Sequence, residues 1–242
     1  MKQKNISEFA RRISKGSDFG EPTELIPAAT VILLRDADGG VETLMLRKNS
    51  KIAFGGMWVF PGGRIDDDDG SPEDEMEHRA RIAAAREAME EASVEVAPAE
   101  MTWISHWTPP AMGNRRFNTW FFATSAPRGE VTIDDGEITE SQWVTGSEAL
   151  AQHAAGDIEL APPTYVTLSL LARYTCVADA MASLEPMKPR HYVTKIVASG
   201  DDLVAMWEGD VGYESGDAQM SGVRHRLVMS KDGFELDESG AV

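Results

Sequence analysis

Cysteine and long apolar runs are scarce in this chain. Cys176 is the only cysteine, which excludes both a disulfide within the chain and a cysteine-rich metal site. Every apolar run is shorter than the roughly 18 to 20 residues that cross a bilayer, and the start of the chain lacks the apolar centre of a signal peptide. We therefore expect a soluble, cytoplasmic protein with no membrane partner.

Basic residues are also few. The chain has 23 Lys and Arg against 40 Asp and Glu, a formal net charge of −17, and no block of basic residues. This balance argues against a protein that binds a nucleic acid polymer unaided. Such a protein needs a cation if it is to bind phosphate groups, although solubility alone would also explain the acidic surplus.

The 242 residues, 42% of them hydrophobic, are enough for one large domain with an extension. We expect an N-terminal leader over 1–26, a core over 27–157, and a helical and β extension over 158–242 that packs on the core.

Apolar runs separated by turn residues predict a sheet. Ala28–Asp36 is a continuous apolar run that predicts a buried strand, in a hairpin with "ETLMLRK". The segments "MTWISHWTPP", "RFNTWFFATS" and "SQWVT" predict further strands of one sheet, and "GSEALAQHAAG" a short helix. After Pro162 we expect one long helix, then strand pairs with turns at "SGDD" and "SKDG".

The clearest helix is "SPEDEMEHRARIAAAREAMEEA", with Ser71 as its N-cap. Ile82, Ala85, Met89 and Ala92 recur at helical spacing and predict its buried face.

Three carboxylates crowd the end of this helix, on the side predicted to face away from the core. Glu87, Glu90 and Glu91 share a face, where like charges repel by a few tenths of a kcal/mol per pair. A hard cation such as Mg²⁺ or Mn²⁺ would reverse that repulsion, because it prefers oxygen ligands. Arg86 is placed to hold one carboxylate from the side. The alternative is a solvated helix face, which is common in glutamate-rich helices.

"FPGG", a loop and "REAMEEASV" together resemble the signature of the Nudix hydrolases, G-x5-E-x7-R-E-U-x-E-E-x-G-U, in which U is a bulky aliphatic residue. The resemblance implies an α/β fold, a Nudix α/β/α sandwich with a mixed sheet. It also implies a pyrophosphohydrolase that cleaves a nucleoside diphosphate linked to another moiety, with Mg²⁺ or Mn²⁺ as cofactor. The non-enzymatic alternative is a binding or sensing module on the same fold.

The same resemblance assigns the residues. Glu87, Glu90 and Glu91 would be metal ligands, joined by the carbonyl of Gly63 and perhaps that of Gly62. Glu90 and Glu91 would also serve catalysis, with Arg86 as their orienting partner.

The chain departs from the signature at several positions. Between Gly63 and Arg86 lie 22 residues, more than the signature allows, because of an acidic insertion with the sequence "DDDDGSP". Counting back from Arg86 places His78 at the first glutamate of the signature, so Glu75 or Glu77 substitutes or the role is lost. Ser93 stands where glycine normally ends the helix. We expect the acidic loop itself to be solvated.

Other candidates lie outside the signature. We expect a general base in "DDGEITESQWV", with Glu137 preferred to Glu140, although either could be an ordinary loop acid. Arg115 and Arg116 could bind a substrate phosphate or form surface ion pairs. Trp107 and Phe117 could stack on a substrate base or belong to the core, which we favour.

A longer loop inside the signature and "RRFNTWFF" after it resemble the branch that includes peroxisomal coenzyme A diphosphatases. That branch carries an arginine where this chain has Ile52, so coenzyme A stays one substrate option beside ADP-ribose, dinucleotides and nucleotide sugars. We expect a small-molecule substrate, and a homodimer is possible because many members of the family dimerise.

Overall fold

The computed structural model describes residues 23–49, 55–111, 115–134 and 136–239. Their contacts form two compact units. We call residues 27–106 and 118–190 the larger unit; the smaller unit contains residues up to 26, 107–117 and 191 onward. Most of the predicted leader and Ile52 lie outside the described residues, and the division predicted at residue 157 stays a prediction.

The larger unit is built on a sheet whose strands follow the predicted apolar runs. Its strands are β1 (Leu25–Ala37), β2 (Gly40–Lys48), β3 (Trp58–Val59), β4 (Gly62–Arg64), β5 (Thr102–Thr108), β6 (Arg116–Ser125) and β7 (Ile138–Thr145). Strands β3, β2, β1, β6 and β5 lie side by side in that order, while β4 pairs with β1 and β7 with β2. The predicted β1–β2 hairpin is confirmed, with Leu34 opposite Thr43. Together with the helices, this mixed sheet confirms the predicted α/β class.

Helix α1 (Met76–Ala92) covers one face of this sheet with alanines. The residues of this face are fully buried and pack with β1 and β2; they are Ala80, Ala83, Ala84, Ala88 and Ala92. The predicted apolar face was therefore rotated, since Met89 is 53% exposed. Small side chains let the helix backbone approach the sheet closely, and a pattern search for bulky residues misses them.

The predicted start of α1 at Ser71 is wrong, because the helix begins five residues later. Its N-cap position is Glu75, which makes no side-chain capping bond. The Ser71 N–H donates to the Asp74 carboxylate at 2.8 Å. Local side-chain bonds of this kind favour a turn over a helix.

The predicted long helix after Pro162 is two helices. After α2 (Gly146–Ala155), which confirms the predicted short helix, come α3 (Pro162–Leu171) and α4 (Val177–Leu184). The Tyr174 N–H bonds the carbonyl three residues earlier, which ends α3. The Val177 N–H then donates to the Asp36 carboxylate at 2.7 Å, so a residue far along the chain caps α4.

The smaller unit contains a four-stranded antiparallel sheet. After β8 (Arg190–Val193), the strands β9 (Lys195–Ser199), β10 (Asp202–Met206), β11 (Arg226–Ser230) and β12 (Gly233–Asp237) lie in the order β12, β11, β10, β9. The turns predicted at "SGDD" and "SKDG" are confirmed. Within the described part of the chain, we find no helix long and apolar enough to cross a membrane.

Candidate active site

The two glycines of β4, Gly62 and Gly63, lie directly against β1 and the side of α1. Strand β4 places Gly63 opposite Ala29 and Gly62 opposite Thr30. A Cβ atom on Gly62 would lie 2.5 Å from the Ala29 carbonyl oxygen, and one on Gly63 would lie 2.2 Å from Glu87 Oε1. Both distances are shorter than any real contact, so only glycine lets the helix carboxylate come this close to the strand.

Arg86 joins the signature helix to its surroundings. One guanidinium nitrogen, Nη1, donates to Glu87 Oε1 and to Glu90 Oε2, both at 2.9 Å. Nη2 donates to the Arg64 carbonyl at 3.0 Å. The structure thus places Arg86 in contact with two of the three predicted ligands, and with the strand that carries the glycines.

Asp69 is the strongest partner of Arg86 and was not among the predicted site residues. Its two carboxylate oxygens accept from Arg86 Nε at 2.9 Å and Nη2 at 3.0 Å, a bidentate pair. Burial raises the pKa of Asp69, but the bonds from Arg86 and from the Asp66 N–H outweigh this and lower it. The bond to Asp69 in turn raises the pKa of Arg86.

This pair corrects two predictions. The acidic insertion is not wholly solvated, because Asp69 is only 2% exposed. The second correction concerns the first glutamate position of the signature, which counting back from Arg86 placed at His78. His78 is exposed, and its neighbour Glu77 pairs with Arg81 and not with Arg86. Counting forward from Gly63 across five residues reaches Asp69. That forward count was the signal in the sequence: Asp69, within the acidic segment, takes the place of the first signature glutamate, and the extra residues lie between it and Arg86.

Glu91 differs from its two neighbours because it is buried. Its side chain accepts from the Gly62 N–H at 2.9 Å and from Lys48 Nζ at 2.5 Å. Burial raises its pKa to about 7, although Lys48 and the Gly62 N–H act in the opposite direction. Burial also raises the pKa of Glu87, against the effect of Arg86. The prediction that all three carboxylates face away from the core was therefore wrong for Glu91.

Ser93 ends the helix in the left-handed conformation that the signature assigns to glycine. Its φ is 54° and its ψ is 35°, and its N–H bonds the Met89 carbonyl at 3.0 Å. The departure at Ser93 thus leaves the helix ending intact.

Lys48, a second residue missed by the sequence analysis, connects Glu91 to Glu137. Its Nζ also lies 2.7 Å from Glu137 Oε1. Burial lowers the pKa of Lys48, but the two carboxylates more than offset this and raise it. The other candidate base, Glu140, pairs with the exposed Arg47 at 2.5 Å. The structure therefore brings Glu137 to the signature helix and leaves Glu140 in a surface ion pair.

The predicted substrate residues belong to the smaller unit, whereas the signature residues belong to the larger one. Arg116 donates to three backbone carbonyls, those of Thr23, Pro109 and Pro110, at 2.9 to 3.2 Å. The prediction that Arg116 binds a substrate phosphate is therefore corrected, because each of its three guanidinium nitrogens donates to a backbone carbonyl. Arg115 is exposed and Phe117 half-buried, and their substrate contacts stay predictions.

Trp107 is part of an aromatic cluster in the smaller unit. It is 3% exposed, and its ring stacks on Tyr192 with 3.8 Å between ring centroids. Trp207 meets it edge-on at 5.6 Å. This burial corrects the substrate-stacking assignment in favour of the core alternative.

The donor set suits a hard divalent cation. Glu87, Glu90 and Glu91 offer carboxylate oxygens, and two of them, Glu87 and Glu91, contact the glycines of β4, which carry no side chain to block an approach. In the described residues, no three His, Cys, Asp or Glu side chains already converge as a metal site. The carboxylates instead contact Arg86 and Lys48, so an ion would bind in competition with these cations.

Comparison with known proteins agrees with this geometry. Residues 24–163, more than half of the chain, match the model of the NUDIX domain. A curated relative, acyl-coenzyme A diphosphatase NUDT19 of Xenopus laevis, is 27% identical over 141 residues, which are 54% of this chain and 36% of that protein. The match thus spans about a third of the relative's length.

A solved Nudix hydrolase from Alicyclobacillus acidocaldarius superposes with a TM-score of 0.61 at 21% identity. The match covers 69% of this chain and 99% of that one, and it shows likeness of fold alone. The domain match, the two glycines of β4 and the carboxylate helix lead to one conclusion: this chain belongs to the Nudix family.

Proposed function

We propose that this protein is a divalent-metal-dependent hydrolase that cleaves the diphosphate linkage of a nucleoside diphosphate joined to another moiety. The observation that carries the proposal is the placement of Glu87 and Glu91 against the two glycines of β4, Gly62 and Gly63, with Glu90 beside them. Coenzyme A and its acyl derivatives are the first substrates to test, because the relative from Xenopus laevis is named for that activity.

The metal would be Mg²⁺ or Mn²⁺, held by Glu87, Glu90, Glu91 and the Gly63 carbonyl. When bound, such an ion neutralises diphosphate charge and polarises a phosphoryl oxygen. Arg86 orients Glu87 and Glu90, and Asp69 fixes Arg86 in turn. These contacts hold the ligands in place before the ion arrives, which lowers the cost of ordering them.

Glu137 is our candidate for the general base that takes a proton from the attacking water. Its side chain is 53% exposed and so is open to solvent, yet it is held 2.7 Å from the ammonium of Lys48. A carboxylate near the metal ligands suits this task. Arg115 and Phe117 are proposed to contact the substrate.

The test is turnover of a panel of diphosphate compounds with Mg²⁺ or Mn²⁺, followed by chromatography of the products. The panel contains coenzyme A, ADP-ribose, NADH, a dinucleoside polyphosphate and a UDP-sugar. We expect one class to be cleaved only with metal, and Glu91→Gln to lower that turnover at least about a hundredfold, a loss of the size seen for a key catalytic group.

Glu95→Gln is the matched control, because it makes the same chemical change at an exposed position just beyond the helix. It should keep wild-type turnover. Cleavage that survives in Glu91→Gln would contradict the proposal. Tight binding of one compound without any turnover would indicate a binding module instead.

A further inference from the structure

Lys48 is a buried cation between two carboxylates that are distant in sequence. Its side chain is 8% exposed, and Nζ lies 2.5 Å from Glu91 Oε1 and 2.7 Å from Glu137 Oε1. Glu91 belongs to the signature helix and Glu137 to the loop before β7. Since a buried charge needs partners, this contact is a fixed feature of the fold and not a mobile surface pair.

Strand alternation turns Lys48 toward the helix, because Lys48 lies on the same face of β2 as Leu44 and Leu46, which pack with α1. Arg47 faces the other way and reaches the exposed Glu140, whereas Lys48 contacts the buried Glu91. The pairing of β2 with β7 also shifts register between Arg47 and Lys48, because β7 carries one extra residue there.

The backbone around Glu137 is fixed without Lys48. The Asn49 N–H donates to the Glu137 carbonyl at 2.7 Å. Asp134 accepts from the N–H groups of Glu137 and Ile138, both at 2.9 Å. What these bonds do not fix is the long side chain of Glu137, which the ammonium of Lys48 holds toward Glu91.

We propose that Lys48 is a positioning residue that holds the Glu137 carboxylate beside Glu91 for the hydrolytic step. This inference rests on the proposed function, in which Glu137 takes the proton from water. A half-exposed glutamate has several rotamers, and only those directed to Glu91 are useful. The ammonium selects them, and a misplacement of about 1 Å can lower a rate about a hundredfold.

The main test is a double-mutant cycle on turnover of coenzyme A, or of the panel compound that the wild type cleaves fastest. If Lys48 acts through Glu137, Lys48→Gln and Glu137→Gln should each lower kcat about tenfold or more, with KM changed less than about threefold. The double variant should be no slower than the slower single variant, because the second change removes nothing further.

The control cycle uses Arg35→Gln and Glu42→Gln. These residues form an exposed cross-strand pair at 2.7 Å, and Glu42 lies on the same strand as Lys48. Both single variants and the double variant should keep wild-type kcat. Glu140→Gln should lose far less turnover than Glu137→Gln.

Mn²⁺ binding in the absence of substrate distinguishes a positioning role of Lys48 from general structural damage to the variant. Binding is measured by electron paramagnetic resonance at pH 8.5. Lys48→Gln removes a positive charge next to Glu91, so repulsion of the ion falls and Mn²⁺ should bind at least as tightly as in the wild type. A variant that was merely misfolded would lose both metal binding and turnover.

Glu137→Asp keeps the inference testable if Lys48→Gln fails to fold. The residue is half-exposed, and its shorter side chain withdraws the carboxylate from Lys48 while keeping the acid. We expect a loss of kcat close to that of Glu137→Gln. Full turnover in Glu137→Asp, or a double variant whose loss equals the product of the single losses, would overturn the inference. Full turnover in Glu91→Gln would instead refute the proposed function.

Discussion

Replacing Asp69 with asparagine tests whether the acidic insertion is part of the site. The change removes one negative charge and disrupts the bidentate pair with Arg86, while keeping the size of the side chain. Hydrogen bonds to charged groups contribute about 1.5 to 3 kcal/mol each, and breaking a fully buried ion pair costs about 3 to 5 kcal/mol. The Arg86 side chain is 27% exposed and keeps Glu87 and Glu90 as partners. We therefore expect the free energy of unfolding to fall by about 2 to 3 kcal/mol.

Urea unfolding measures this loss, with Asp68→Asn as the control because Asp68 is the exposed neighbour with the same charge. The control should change the unfolding free energy by less than about 0.5 kcal/mol. Because the folded-state pKa of Asp69 is lowered, its stabilisation is present above the unfolded value of about 3.9 and declines as the pH falls through the folded value. The difference in unfolding free energy between Asp69→Asn and Asp68→Asn should therefore shrink at acidic pH. Equal midpoints for Asp69→Asn and Asp68→Asn at neutral pH would refute the reasoning.

Three further changes probe other features. In Gly63→Ala the atoms nearest the new methyl group are those at the flexible end of Glu87, so the thermal midpoint should barely move. Turnover should fall at least about tenfold, because that ligand is displaced. Unchanged kinetics would argue against a role for Glu87. Ser93→Gly should be neutral or stabilising by up to about 1 kcal/mol in urea, because glycine adopts the left-handed conformation without strain, and a clear destabilisation would contradict this. Asp210 is buried against Arg226, and although burial raises its pKa, the bonds from Arg226 and two backbone N–H groups lower it to about 2. Its contribution of about 2.5 kcal/mol to the free energy of unfolding should be complete above about pH 4 and lost toward pH 2. In Asp210→Asn the free energy of unfolding should therefore lose this part of its pH dependence. A pH dependence identical to that of the wild type would contradict the prediction.

Most of the fold could be predicted from local patterns. The β1–β2 hairpin, the strands around Trp143 and the turn at Gly233 follow from alternation and turn chemistry, which act over a few residues. The errors have different causes. The start of α1 and the break after Leu171 depend on bonds to Asp74 and Asp36, and the α1 face depends on how closely alanines let a helix approach the sheet.

The sequence by itself determined which carboxylates share a helix. Residues 86 to 91 lie within two turns, so the helical period alone places Arg86, Glu87 and Glu90 together. The composition also indicated that phosphate binding would need a cation, because acidic residues greatly outnumber basic ones.

Only the tertiary structure decided how those carboxylates are held. Asp69 meets Arg86 because the loop after β4 folds back on the helix, and Lys48 meets Glu137 across 89 residues of chain. Burial, which separates Glu91 from Glu90, is likewise a property of the packed sheet and helix. Electrostatic contacts and desolvation depend on distances in space, and the sequence specifies those distances only through the complete fold.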